Sequence, residues 1–251
     1  MRSNILFAVL SFLIVYGYGQ ETNSPVLLKK EVISGVGLMR TKPQWADVDR
    51  ELYTQNVFLG EEIGINVTSS SNAFHDWKNY EIDEFVYILN GQAIVKSIDG
   101  QEYTFNKGDF FIVPKGFTGR WTTQGSKGNF LEIAVYSRKR QRKTDKGNTE
   151  PIRISDVLLS GMEYPKDPFV FTGVELMISL EVQIAGTNKK IIENDSDKMN
   201  YILNGMVDVT DVKKGKVSYY EGDFYVLPKG FKGEVSYKGF DVFRELVVEK
   251  S

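Results

Sequence analysis

The sequence predicts an all-β protein made of two similar units in tandem, preceded by a cleaved signal peptide. Three observations carry this reading. A stretch of the first half returns in the second, short apolar runs alternate with turn dipeptides along the chain, and the first residues form an apolar run ending in small residues. The repeat is the most specific of the three. Asn90-Gly91 returns as Asn204-Gly205, Gly108-Asp109 as Gly222-Asp223, and Pro114-Lys115-Gly116 as Pro228-Lys229-Gly230, each 114 residues downstream. Self-similarity at a fixed period marks a duplicated structural unit. A chain of 251 residues gives each copy room to bury a core of its own.

Taken in order, the chain opens with Arg2 and the apolar run Ile5 to Val15, which is short for a membrane span. Gly17 and Gly19 supply the small residues of a cleavage site before Gln20, so residues 1–19 read as a signal peptide and the mature protein as secreted or periplasmic. An uncleaved membrane anchor is the competing reading of the same residues. No second apolar run of that length follows, so no membrane contact is expected after cleavage. The net charge of −2 gives no electrostatic reason to expect nucleic acid or an anionic surface as partner. The chain has no cysteine, which excludes disulfides and thiolate metal sites.

Residues 20–137 form the first unit. After a polar tether, Val26 to Val36 has some strand character, and Lys42-Pro43 would break any helix. Val57, Leu59, Ile63, Ile65 and Val67 then alternate with polar or glycine positions, and Ser69 to Asn72 reads as a loop. Phe85 to Leu89 ends at Asn90-Gly91, a tight-hairpin signal. Ala93 to Lys96, Tyr103 to Phe105, Phe110 to Val113 and Phe130 to Tyr136 complete the strands. Residues 138–150, beginning Arg-Lys-Arg-Gln-Arg-Lys, read as a solvated basic linker. Residues 151–251 form the second unit, with Val157 to Ser160 a short apolar piece and Val174 to Ile184 and Val242 to Val248 its main outer strands. Many short strands and no long amphipathic helix describe an antiparallel sandwich or barrel.

The residues of the repeat carry a family resemblance. Glu84 to Gly91 (E-x6-G) followed by Gly108 to Gly116 (G-D-x4-P-x-G) resembles the two motifs of the cupin superfamily. The stretch YEIDEFVYILNG with GDFFIVPKGFTGRW is similar to the branch that includes ureidoglycine aminohydrolase. The resemblance runs from Tyr80 to about Val135 and, in the second unit, from about Tyr201 to Val248. It implies a bicupin, two tandem jelly-roll β-barrels that can each enclose a pocket.

Metal-binding cupins use two histidines and a glutamate on the first motif and a further histidine on the second. Carried over position by position, the glutamate falls on Glu84. The first two histidines fall on Lys78 and Tyr80, or on Trp77 and Asn79 with the longer spacing, and the late histidine falls on Gly119. In the second unit the glutamate position is Lys198 and the late histidine position Gly233. No metal or other cofactor is therefore expected. The sole histidine, His75, lies outside the family spacing and reads either as a loop or rim residue or as a displaced ligand.

Alternation places Tyr80, Ile82, Glu84 and Val86 on one face, with Gly119 and Trp121 across the barrel. A carboxylate between a tyrosine and a tryptophan can hold a sugar, an amine or another small polar molecule. Equally, Glu84 can pair with a cation while the aromatics fill the core. The ligand-site candidates are Glu84, Tyr80 and Trp121, then Trp77 and His75, with no catalytic residue named. Tyr201, Tyr219, Tyr225 and Tyr237 read as mostly structural. The leading expectation is an exported bicupin that binds a small polar ligand or acts structurally. An aminohydrolase-like metal enzyme with a degenerate site around Glu84, Tyr80 and His75 is the alternative, and self-association sheet to sheet is a third reading.

Overall fold

The computed structural model describes residues 23–41, 51–125, 129–141, 149–161, 168–186 and 189–251. The signal peptide, its cleavage point and the basic run beyond Gln141 lie outside these residues. Among the described residues no helix is long and apolar enough to cross a membrane.

Two β-barrels follow one another, each with a larger and a smaller antiparallel sheet. In the first barrel, Phe110–Val113, Glu84–Asn90, Phe130–Ser137, Ile63–Ser70 and Leu52–Leu59 lie side by side in that order. The smaller sheet runs Ala73–Trp77, Gly119–Gln124, Gln92–Ser97, Glu102–Asn106. The second barrel repeats the scheme with Phe224–Leu227, Lys198–Asn204, Val242–Lys250, Leu176–Ile184 and Phe169–Thr172 facing Lys190–Glu193, Lys232–Lys238, Met206–Asp211 and Gly215–Tyr220. The repeat seen in the sequence is thus a repeat of strand order. The hairpin at Asn90-Gly91 turns with Gly91 at φ 86°, a left-handed conformation that glycine adopts without the Cβ clash of other residues.

Each barrel lends a short strand to the other. Val26–Leu27 pairs with Phe224–Leu227 of the second barrel, and Ile152–Arg153 pairs with Phe110–Val113 of the first. The two larger sheets also bury their outer faces against each other. Phe85, Ile133 and Val135 share one buried cluster with Met199, Leu246 and Val248. At its centre Tyr87 stacks on Phe110 with ring centroids 4.3 Å apart, their counterparts Tyr201 and Phe224 lie at 4.4 Å, and Phe110 and Tyr201 meet at 5.0 Å.

Two buried aspartates clamp this junction from opposite sides. Asp83 accepts backbone hydrogen bonds from Lys115 at 2.8 Å and, across the junction, from Glu175 at 2.6 Å and Leu176 at 3.2 Å. Asp197 accepts from Lys229 at 2.8 Å and, across it, from Glu62 at 2.7 Å and Ile63 at 3.4 Å. Hydrogen bonds to a charged acceptor are stronger than neutral ones. Three apolar cores result, one inside each barrel and one between them.

Local readings shift accordingly. Val26 to Val36 forms a two-residue strand and a one-turn helix, Lys30–Ile33, because Val32 and Ile33 pack onto the junction rather than into a sheet. Ser69 and Ser70 belong to the strand Ile63–Ser70, since both pair with the Phe130–Ser137 strand. The apolar piece ending at Ser160 is another one-turn helix, Asp156–Ser160. The basic run is held at its start. Lys139 pairs with Glu61 at 3.1 Å and Arg140 with Glu81 at 3.9 Å.

Candidate functional site

The interior of the first barrel is built on period-two alternation. Phe85 and Tyr87 point to the junction between barrels, which turns Glu84, Val86 and Ile88 inward. Likewise Ile133 and Val135 face the junction and Glu132, Ala134 and Tyr136 face inside. Tyr80 enters on an irregular segment pinned by the turn that follows Pro114. Its N–H donates to the Phe117 carbonyl at 2.7 Å and its carbonyl accepts from Gly116 at 2.7 Å. The preceding Asn79 is left-handed, with φ 57°, and its N–H donates to the Thr118 hydroxyl at 3.0 Å. Asparagine tolerates that conformation better than most residues.

The Tyr80 hydroxyl donates to the Glu84 carboxylate at 2.5 Å. Burial disfavours the charged carboxylate and pushes the Glu84 pKa up to about 7, against the hydrogen bond from Tyr80 and the positive charge of Arg140. Tyr80 is pushed well above the ordinary tyrosine range by burial and by the charge of Glu84, so it stays a donor. Trp77 meets Tyr80 edge to face at 4.6 Å, and His75 meets Trp77 at 4.2 Å. Trp121 stands opposite His75 in the neighbouring strand and touches Phe111 at 5.6 Å. Trp121 is 8% exposed, and its buried Nε1 has no hydrogen-bond partner among the described residues.

All five sequence-selected residues therefore line one interior. Tyr80, Glu84, Trp77 and His75 form a chain of direct contacts, with Trp121 beside it. The interior strands also bring in Glu132 and Tyr136, which sequence reasoning did not select. The signal for Glu132 was visible as a carboxylate in the middle of the otherwise apolar strand Phe130–Ser137.

The solved structures similar to this arrangement share one architecture. A "Cupin 2" conserved-barrel protein from Leptotrichia buccalis is 12% identical, with 92% of this chain and 98% of that one covered at a TM-score of 0.59. The Escherichia coli protein Ylba is 13% identical over 92% of each chain, with a TM-score of 0.58. A salicylate 1,2-dioxygenase variant from Pseudoaminobacter salicylatoxidans is 12% identical over 91% of this chain and 84% of that one, with a TM-score of 0.57. The family model described as EutQ-like cupin domain matches residues 75–126. Residues 75–126 thus match a cupin domain model, and the chain as a whole has the cupin fold. No curated protein matches it.

The residues present do not fit the metal that the cupin resemblance implies. A Cβ on Gly119, where the late histidine would stand, would strike the Lys96 carbonyl oxygen and come within 2.7 Å of the Phe117 ring. Gly233 is closed in the same way by Phe231 and the Thr210 carbonyl. Among the described residues no group of three or more His, Asp and Glu is placed to hold a metal ion.

The second barrel is not a mere filled core. Glu245 is 3% exposed and accepts the Tyr225 hydroxyl at 2.6 Å. Burial and the charge of Glu181 raise its pKa to about 8, against the Tyr225 hydrogen bond and Lys198. Glu245 opposes Ile202 as Glu132 opposes Ile88, so the two carboxylates occupy the same place in their barrels. Tyr219 and Tyr225, read from sequence as structural, are stacked at 4.5 Å, and the hydroxyl of Tyr225 is engaged with a buried acid.

Proposed function

We propose that this exported cupin binds a small polar ligand inside its first barrel without using the family's metal. The reading rests chiefly on Trp121. A buried indole N–H without an acceptor costs about 1–3 kcal/mol, a cost that a ligand oxygen placed against it would remove. Trp121 shares its interior with the Tyr80–Glu84 pair, and at neutral pH that pair offers a carboxyl balanced between its two protonation states. Trp77 and Tyr80 supply aromatic surface for the apolar side of a sugar or an amine. Export is supported by the sequence of residues 1–19 alone.

The test is a thermal-stabilisation screen of sugars and small amines on the mature protein, run in the presence of a chelator. A ligand that binds only the folded state raises the melting temperature. At least one compound is expected to do so and to shift tryptophan emission. Both effects should weaken in Trp121→Phe, which keeps the ring and removes the N–H. Hits whose binding is unchanged in that variant, or a metal that must be added before any hit binds, would refute the reading.

A further inference from the structure

The second barrel holds a constellation of its own, on different strands from the first. Glu181 and Glu245 stand directly opposite each other in paired strands. Leu176 and Ile178 face the junction between barrels, so alternation turns Ser179 and Glu181 inward beside Glu245. Two carboxylates placed opposite each other would repel, and after burial the charge of Glu181 is a cause of the raised pKa of Glu245. Glu245 is hydrogen-bonded to Tyr225, whereas Glu181 makes no ion pair or hydrogen bond among the described residues. The nearby Lys198 is engaged with Glu249 at 3.4 Å and is not shared with Glu181.

A second, independent feature points into the same space. Tyr237 is 8% exposed and belongs to the interior cluster with Tyr225 and Phe243. Its ring lies 4.7 Å from Phe243, and its hydroxyl makes no hydrogen bond among the described residues. Burial first, and then the charges of Glu245 and Glu181, raise the pKa of that hydroxyl. The hydroxyl of a largely buried tyrosine ordinarily finds a partner, and Tyr237 shares its cluster with the stacked Tyr219 and Tyr225.

We propose that the second barrel is a separate binding site for a small organic cation carrying N–H groups, an amine or guanidinium that enters between Glu181 and Glu245 and lies against Tyr225 and Tyr237. Such a cation compensates the unpaired carboxylate, donates to the Tyr237 oxygen, and presents positive charge to the faces of aromatic rings. A neutral ligand supplies none of the charge. An anion would meet Glu181 unscreened. The second barrel is thereby distinct in ligand chemistry from the first.

The experiment is isothermal titration of the mature full-length protein with methylguanidinium chloride, against N-methylurea as its neutral isostere and potassium chloride at equal ionic strength. Methylguanidinium is expected to bind, and the urea and the salt are not. Glu181→Gln should weaken methylguanidinium by about tenfold or more, and Tyr237→Phe, which leaves every charge in place, by a smaller factor. Trp77 and Trp121 both line the first barrel, so in a Trp45→Phe background tryptophan emission should stay constant through the titration. Equal binding of urea and cation, binding unchanged in both variants, no binding at millimolar cation, or a tryptophan response that tracks the titration would each overturn the proposal.

Discussion

Glu84→Gln tests the buried pair most directly. The carboxyl is raised from 4.5 to about 7 by burial, while in the unfolded chain it titrates near its ordinary value. Between those values the folded protein keeps a proton that the unfolded chain has released. The neutral carboxyl therefore contributes its full stability below about pH 4.5, and that contribution is lost as pH rises through about 7. At about 1.4 kcal/mol per pH unit, the gap amounts to about 3 kcal/mol. Glutamine has the same shape, is neutral at every pH, and can accept the Tyr80 hydroxyl through its amide oxygen.

The variant should thus lie within about 1 kcal/mol of the native protein near pH 5 and exceed it by about 3 kcal/mol near pH 8, a rise in melting temperature of roughly 6–12 °C at the higher pH. The groups that act on Glu84 or on its partner Tyr80 are Arg140, Glu132 and Tyr136. Both tyrosines are raised and stay neutral across this range. Glu245 also titrates near pH 8, but it is present in both proteins and cancels in the comparison. The assay is thermal unfolding of the two proteins at both pH values and matched ionic strength. A stability difference that is the same at both pH values would show that Glu84 is ionised throughout and sink the argument.

Substitutions at three further positions address the frame around the first barrel's interior. Asp83→Asn leaves one acceptor oxygen where three backbone N–H groups converge, and turns an amide N–H toward at least one of them. Unfolding should show a loss of about 3 kcal/mol, or roughly 6–12 °C, with a similar loss for Asp197→Asn; a drop under about 2 °C would mean the clamps are dispensable. Gly119→Ala should destabilise by about 3 kcal/mol or more, because its Cβ meets backbone atoms of Lys96 and Ser97 that cannot move independently of the sheet. Gly119→His should accordingly fail to create a metal site, and stoichiometric metal in that folded variant by elemental analysis would refute the closed-position argument.

The fold was legible because it is written in turn residues. Asn90-Gly91, Gly108-Asp109 and Pro114 punctuate strands wherever they occur, and their recurrence identified the duplication without reference to packing. The faces were harder. Phe85 and Val86 are equally apolar in sequence, and only the second barrel's presence decides that one packs between barrels and the other inside. The exchange of Val26–Leu27 and Ile152–Arg153 was illegible for the same reason: a two-residue strand takes its stability from a partner far away in the chain. Within the site, alternation grouped Tyr80, Glu84 and Trp121, and the structure puts all three at the first barrel's interior, Tyr80 on an irregular segment rather than on the strand that begins at Glu84. It missed Glu245, because an acid within Val242–Lys250 could equally have faced solvent until its pairing with Tyr225 was known.

Comparison of the two interiors explains why duplication kept the frame and released the chemistry. The buried acid–tyrosine pair of the first barrel is Glu84 with Tyr80, and the matching positions of the second are Lys198 and Asn194. The pair of the second barrel is Glu245 with Tyr225, and its counterparts in the first are Glu132 and Phe111. Neither pair is a copy of the other. The aspartate clamps and the Tyr87, Phe110, Tyr201 and Phe224 quartet do coincide, because a junction between two like surfaces requires matching residues on both sides. An interior carries no such requirement. Its polar groups need only be satisfied within their own barrel, so each barrel can settle on a different buried acid. A carboxyl raised to about 7 beside an unpaired indole N–H, and one raised to about 8 beside an unpaired carboxylate, present opposite needs to a ligand. Two interiors with different buried acids are the consequence, joined by the apolar core between them.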